Sequence, residues 1–401
     1  SSSGPPKARA GDGLRWEGYR ATDIGGTDVA GSIAVEVDGS FVVAGQSWDG
    51  PIRPGAVASL ALARFLPNGE PDPAFGRGGT VVASVPGRLI EVDDVGIQSD
   101  HKVVVAGSLG PEGVDRKPEL FIARFDAGGA VDLTFGDGGW TCLGPPREPM
   151  QVVSLVIQPN GNIVVAARRY GALDGTGAGV VVLVFVRPDG TLDVSSGTRG
   201  IAWIPTGQGD WLLGAARAPS NGVYVLIHRL FGLSKTGWGV MRMDASGRVD
   251  GTFAGGTLAT VPVDVARDLY GERMGIALAP NGNVAVARLI EDQHGLPAPA
   301  LVVVRFKADG SLDTAFGQLG TLIIRFAVPA IQFIAFAATG DGRYAVVVHK
   351  TDSRGRAVDG LAVILITDAG ALDDRFGDHG LAVVGFPDVH FTQATTASML
   401  S

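Results

Sequence analysis

The 401-residue chain has one cysteine, Cys142, and six histidines. A single thiol closes no internal disulfide, and no Cys/His cluster has zinc spacing, so neither a disulfide framework nor a structural metal is expected to hold the fold. Charge is sparse as well, at 18% of residues, with a net charge of −8. No basic stripe is available to neutralise phosphates, which excludes nucleic acid and disfavours an anionic membrane surface as partners. No apolar run reaches the roughly eighteen residues of a transmembrane helix, and no basic start followed by an apolar run marks a signal peptide. Asp174-Gly175-Thr176-Gly177-Ala178-Gly179 looks like a phosphate loop but lacks the Lys-Ser/Thr and the helix such a loop needs. No cofactor and no metal are expected.

Glycine is abundant instead, with 60 residues, in a chain that is 45% hydrophobic. The apolar runs are short, β-branched and punctuated by Asp-Gly or Asn-Gly, which is all-β composition. Self-similarity then sets the architecture. The pattern Leu-Asp-x-x-Phe-Gly recurs around Asp72, Asp132, Asp193, Asp250, Asp313 and Asp373, which subtraction places 60, 61, 57, 63 and 60 residues apart. Within each copy, turns such as Val37-Asp38-Gly39, Pro159-Asn160-Gly161 and Pro280-Asn281-Gly282 join two apolar runs, because these dipeptides accept the positive φ of a tight hairpin. Two further strands, Leu60 to Leu66 and Thr80 to Val85 in the first copy, complete a meander A-B-C-D. Four strands in about sixty residues, apolar on both faces, predict a six-bladed β-propeller of four-stranded antiparallel blades. An open β-solenoid is the runner-up, disfavoured by its shorter rungs.

The expected layout is a flexible segment over 1–10, one propeller over 11–390 and a tail over 391–401. Blades are expected near 21–85, 86–146, 147–207, 208–264, 265–330 and 331–390. Gly11-Asp12-Gly13-Leu14-Arg15-Trp16 echoes Gly136-Asp137-Gly138-Gly139-Trp140, the start of a D strand, so residues 11–20 are expected as a closing strand. The last copy has its own D strand, which makes seven D-like segments for six blades.

Asp-Gly-Ser-Leu-Asp-Thr-Ala-Phe-Gly at 309–317, with Val-Val-Ala-Gly at 42–45 and 104–107, resembles the delta-60 repeat family of bacterial propellers. The likeness spans about residues 11–390. It implies a propeller and a secreted or envelope setting, and no particular activity. Two copies depart from the pattern: Leu-Asp-Val-Ser-Ser-Gly at 192–197 lacks the Phe, and Val-Asp-Gly-Thr-Phe-Ala at 249–254 lacks the final Gly.

The recurring Asp is expected to cap the turn that follows it, since a residue present in every blade is fold punctuation before it is six active sites. Arg64, Arg124, Arg242 and Arg305 on strand C are expected either to pair with the same blade's Asp or to lie along the neighbouring blade. Copies three and six place Phe185 and Leu365 there.

Variation carries the functional signal. The A–B and C–D turns repeat closely, whereas the B–C loops and D–A connections vary, and in an up-and-down blade these two emerge on one face. At that end of strand B, the pairs Ala167-Arg168, His228-Arg229, Arg288-Leu289 and Val348-His349 bring cationic or titratable groups to one level. The first two blades bring Asp23, Asp28, Glu91, Asp93 and Asp94. Trp48, Trp211, Trp238, Tyr170 and Tyr270 fall in or beside the same segments, as stacking surfaces for a ligand or as plugs between blades. The candidate ligand-binding residues are therefore Arg168, Arg229, Arg288, Asp93, Asp94, Trp48, Trp211 and Trp238. Two functions fit: a secreted or envelope binding or scaffold propeller that holds a glycan, peptide or protein partner, and a hydrolase or polysaccharide lyase at the channel mouth. In the enzyme, Arg168 and Arg288 neutralise a substrate carboxylate while His228 or His349 transfers a proton. A purely structural module in a larger surface assembly is the third reading.

Overall fold

The structure is a computed structural model that describes residues 24, 27–49, 58–85, 88–111, 119–143, 150–169, 178–208, 210–230, 236–260, 274–290, 299–326, 331–351 and 357–384. The expected closing strand at 11–20, the segment 1–10 and the tail at 391–401 lie outside the described residues. Six four-stranded antiparallel sheets follow one another along the chain, each in sequential strand order, and together they form a six-bladed β-propeller. No described helix is long and apolar enough to cross a membrane.

Blade 2 shows the unit: strand A Arg88–Ile97, B Val103–Pro111, C Glu119–Phe125 and D Trp140–Leu143. Strand A is innermost, and the A strands of successive blades from the first to the sixth lie side by side around the axis. Sequential antiparallel order sends the B–C and D–A connections to one end of every blade, and the A–B and C–D turns to the other. The expected division into a variable and a uniform face is thus built into the strand directions.

The uniform face is where the blades are fastened. In blade 5, the Arg305 guanidinium sits 4.6 Å from the centre of the Phe316 ring. Its Nε donates to Asp313 Oδ2 at 2.8 Å and an NH1 group donates to the Asp368 carbonyl of blade 6 at 2.6 Å. Arg124 and Arg242 repeat the arrangement with Asp132 and Asp250, with Phe135 and Phe253, and with the carbonyls of Pro188 and Ala308 in the next blade. Both readings of the strand C arginine hold at once. The Asp keeps its other oxygen for the turn, accepting the backbone N–H two residues on, as Asp132 does from Thr134 at 3.1 Å. Burial opposes ionisation of Asp132, but the Thr134 hydrogen bonds and the Arg124 charge hold its carboxyl down at about 2. Such an ion pair is favourable because every polar group in it has further partners.

The departing copies keep the fastening by exchange. In blade 3 the aromatic ring has moved from the turn to strand C: Phe185 lies against Gly247 of blade 4, as Phe135 lies against Gly190. Ser196, in the vacated Phe position, donates to Asp193 Oδ2 at 3.1 Å and to the Ala245 carbonyl of blade 4 at 3.2 Å. In blade 6, Arg343 from the A–B turn reaches Asp373 at 2.9 Å in place of a strand C arginine.

Five seams also share a backbone bond from the residue after the motif aromatic, or its Ser196 counterpart, to the next blade's C–D turn: Gly76 to Gly128, Gly136 to Asp189, Gly197 to Ser246, Ala254 to Asp309 and Gly317 to Ala369. Each seam has its own apolar cluster of two adjacent blades. Among the described residues no such bond and no such cluster joins blade 6 to blade 1.

The exchange in blade 3 predicts coupling. Phe185→Arg alone and Ser196→Phe alone should each lower stability, and the double variant, which rebuilds the commoner pattern, should recover at least ~1 kcal/mol relative to their sum. Urea unfolding of the four proteins checks this, and additive losses would show that the two positions do not form one contact.

Candidate functional site at the channel mouth

The variable end of the channel is shaped by a β-bulge repeated in five A strands. The A/B register shifts between Ala30 and Ser32, Val92 and Asp94, Val152 and Ser154, Leu212 and Gly214, and Phe333 and Ala335. A bulge re-aims side chains and leaves backbone groups without ladder partners. Two residues past the bulge, backbone N–H groups are met across the seams: Leu155 N–H donates to Asp94 Oδ2 at 2.7 Å, and Ala215 N–H donates to Ser154 Oγ at 3.0 Å. Asp94 also accepts from Ser32 Oγ at 2.7 Å and Val95 N–H at 2.9 Å. Burial raises its carboxyl to about 6 against the pull of these bonds. Both Asp94 oxygens are therefore committed to joining blades 1, 2 and 3, and the expected ligand contact is an internal tie.

Asp93 is the bulged residue itself and differs sharply. Its Oδ2 is buried without a hydrogen-bond partner. Burial, then the charges of Glu91 and Asp94, push its carboxyl up to about 8, with Arg168 acting in the opposite direction. At neutral pH it is chiefly a carboxylic acid, which can donate as well as accept.

Just beyond the bulge, cross-strand pairs at one level differ from blade to blade: Val29 with Gln46, Glu91 with Ser108, Gln151 with Arg168, Trp211 with His228, and Gln332 with His349. Arg168 donates to Gln151 Oε1 from Nε at 3.1 Å and from NH2 at 2.9 Å. Blade 5 corrects the expected level. Counting five residues from the first residue of strand B reaches Leu289, and Arg288 lies one residue nearer the hairpin, opposite Met274. Alternation then turns Arg288 to the other side of its blade, into the seam with blade 4 where His228 lies.

A cavity of about 350 Å³ occupies the channel, lined by A strands of blades 2 to 6 and by Arg168. Asp93, Gln151 and Arg168 are its polar lining toward the variable end, Arg217 lines it toward the A–B turns, and Ile276, Phe333 and Phe336 contribute apolar lining. His228, Arg288 and His349 do not line it. His228 is stacked on Trp211, with ring centres 4.2 Å apart, and is buried. Burial and then the Arg288 charge lower its imidazole to about 4, so it is neutral at pH 7. His349 is buried too. Arg229 is held by Asp210 at 3.0 Å. Trp238, a candidate ligand contact expected either as a stacking surface or as a plug between blades, is buried in the seam between blades 4 and 5, where it plugs the gap. Trp48 is half-buried at the end of strand B of blade 1. Asp23, Tyr170 and Tyr270 lie outside the described residues. No group of three or more metal-ligating side chains is present among the described residues.

Gln151 was not identified from the sequence. Its partnership with Arg168 depends on a register that the bulge at Val153 sets, and a valine run gives no sign of that bulge.

Three stretches match one family model. Residues 38–75, 98–135 and 294–316 match the family described as a domain of unknown function (DUF5122) beta-propeller. This supports a bacterial β-propeller repeat family as the source of the likeness. No curated protein matches the sequence. Similar solved structures include a protein of unknown function from Bacteroides caccae, at 12% identity over 75% of this chain and 88% of that one, with a TM-score of 0.38. The polysaccharide lyase Uly1 is 12% identical over 92% of this chain and 91% of its own, with a TM-score of 0.42. The Hadza microbial sialidase Hz136 is 12% identical over 79% and 62%, with a TM-score of 0.45. These likenesses concern the fold and decide nothing about activity.

The state of His228 gives a pH prediction. The unfolded chain takes up this proton near pH 6.5 and the folded chain only near 4, so stability that is present above pH 6.5 is lost as pH falls toward 4. Unfolding free energies at pH 7.5 and 4.5 should therefore differ more for the natural protein than for His228→Gln. An equal pH dependence in the two proteins would show that His228 titrates normally.

Proposed function

We propose that this chain is a binding propeller, secreted or envelope-associated, that seats one end of a glycan or peptide in the mouth of its channel. The observation that carries this reading is the convergence of Asp93, Gln151 and Arg168, from two adjacent blades, on a cavity whose opposite wall is apolar. A protonated Asp93, a primary amide and a guanidinium together offer donors to acceptor oxygens, and the guanidinium favours an anionic one. The ligand that fits is a chain end bearing a carboxylate, either an acidic sugar or a peptide C-terminus, with a less polar body turned toward Phe333 and Phe336. The hydrolase or lyase alternative needs His228 or His349 to reach the substrate that Arg168 holds, and neither lines the same cavity.

Titration calorimetry with acidic oligosaccharides and short peptides tests the proposal. Arg168→Ala should weaken carboxylate binding on the order of thirtyfold, the loss of a charged hydrogen bond of about 2 kcal/mol. Raising the pH from 6.5 to 9 ionises Asp93 and should weaken binding on the order of tenfold in the natural protein. Asp93→Asn, which keeps a donor at every pH, should abolish that dependence. Affinity indifferent to both substitutions, or no binding of any carboxylate-bearing ligand, would refute the proposal.

A further inference from the structure

The channel carries a second cation besides Arg168. Among the described residues that line it, four are ionisable: Asp93, Asp94, Arg168 and Arg217. Asp94 is committed to ties between blades, and Asp93 and Arg168 stand toward the variable end. Arg217 lies toward the other end, on strand A of blade 4 (Trp211–Ala218), opposite Val223 near the start of strand B. It is half-buried and has no hydrogen bond or ion pair among the described residues. Half-buried guanidiniums elsewhere are engaged: Arg64 holds Glu36 at 2.7 Å, Arg88 holds Glu119 at 3.0 Å and Arg229 holds Asp210 at 3.0 Å. Holding a charge partly out of water without a partner opposes folding. A ligand accounts for the place of Arg217 in the wall, and the fold does not.

Cross-strand register sets the spacing of the two arginines. The pair Gln151–Arg168 shares its level with Trp211–His228, and Arg217 shares its level with Val223, which subtraction places five residues from His228 on the same strand. At ~3.3 Å per residue the two levels are about 17 Å apart. A cavity of about 350 Å³ drawn out over such a length suits an extended chain better than a compact ligand. Its lining between the ends is small or apolar, as at Gly96, Leu155, Gly214, Ala216, Ile276 and Leu278.

We infer that the channel takes an extended ligand with a carboxylate at each end, one held by Arg168 at the mouth and the other by Arg217 toward the A–B turns. This rests on the ligand site at Asp93, Gln151 and Arg168 proposed above and narrows the ligand it takes. The class is a dicarboxylate whose two groups are joined by a slender, largely apolar body. A guanidinium at each end binds a carboxylate through charge-assisted hydrogen bonds. The lining between them removes the body of the ligand from water. A ligand with only one anionic group leaves one of the two guanidiniums without a partner, so the channel discriminates by both charge and length.

Titration calorimetry with linear α,ω-dicarboxylic acids of increasing length, each beside its monoamide, tests the inference. Affinity for the diacids should peak at one length and fall on either side of it. At that length the diacid should bind on the order of tenfold tighter than its monoamide, and in Arg217→Gln this advantage should disappear. Thermal unfolding without ligand should show Arg217→Gln at least as stable as the natural protein, because no protein contact is lost. A marked loss of stability would assign Arg217 a structural role and overturn the inference. So would a diacid advantage that survives Arg217→Gln, an affinity independent of length, or no binding of any diacid. If Arg168→Gln still weakens monoamide binding in those cases, the mouth site stands without its second anchor. Indifference of every ligand to both substitutions would overturn the mouth site as well.

Discussion

The blades are held in register by a contact repeated at the uniform face, in which a strand C guanidinium lies against its own blade's phenylalanine, pairs with its own blade's aspartate and donates to a carbonyl of the next blade. One side chain thereby joins the C–D turn of one repeat to that of the next. Its charge stays buried at little cost because carboxylate, ring and carbonyl satisfy it together. Each seam from blade 1 to blade 6 also buries an apolar cluster, but area alone does not fix how far one sheet slides on another. The turn contact does, since donors and acceptors meet at only one offset. The exchange of Phe185 and Ser196 in blade 3 shows the same constraint met with different residues.

Fastening at one end of the blades leaves the other end to vary. The A–B and C–D turns cannot change much without losing a bond to a neighbour. Between the two ends, the bulges in strand A interrupt the ladder just below the variable mouth, and the residues at and beside them serve different ends. Asp94 and Ser154 answer N–H groups of the following blade, whereas Asp93 is left with an oxygen that has no protein partner. Asp93 lines the channel cavity together with Arg168 and Gln151, which makes this the candidate site.

The fold was largely legible in the sequence because its cause is periodic: a motif every sixty residues, turn dipeptides and doubly apolar strands can be read by alignment of the chain with itself. The face on which variation would gather followed from strand direction alone. The site was legible only in part. Arg168 and Asp93, singled out by residue type and position, both line the cavity, whereas Asp94 is an internal tie, Trp238 is a seam residue and Arg288 is turned to the other side of its blade from Arg168. These differences share one origin. A bulge or a one-residue offset reverses which side of a blade a side chain faces, and no composition signal marks either in a run of valines and alanines. The neutral state of His228 was equally hidden, because it comes from burial against Trp211 in a seam that exists only after folding.

The most direct test of the account is a crystal structure of the chain soaked with a mixture of acidic and neutral oligosaccharides and short peptides. The account predicts ligand density in the channel mouth, with an anionic group bonded to Arg168 and within reach of Asp93 and Gln151, and the ligand body against Phe333 and Phe336. Density confined to the uniform face or to an outer blade edge, with the channel mouth filled by water alone, would contradict it.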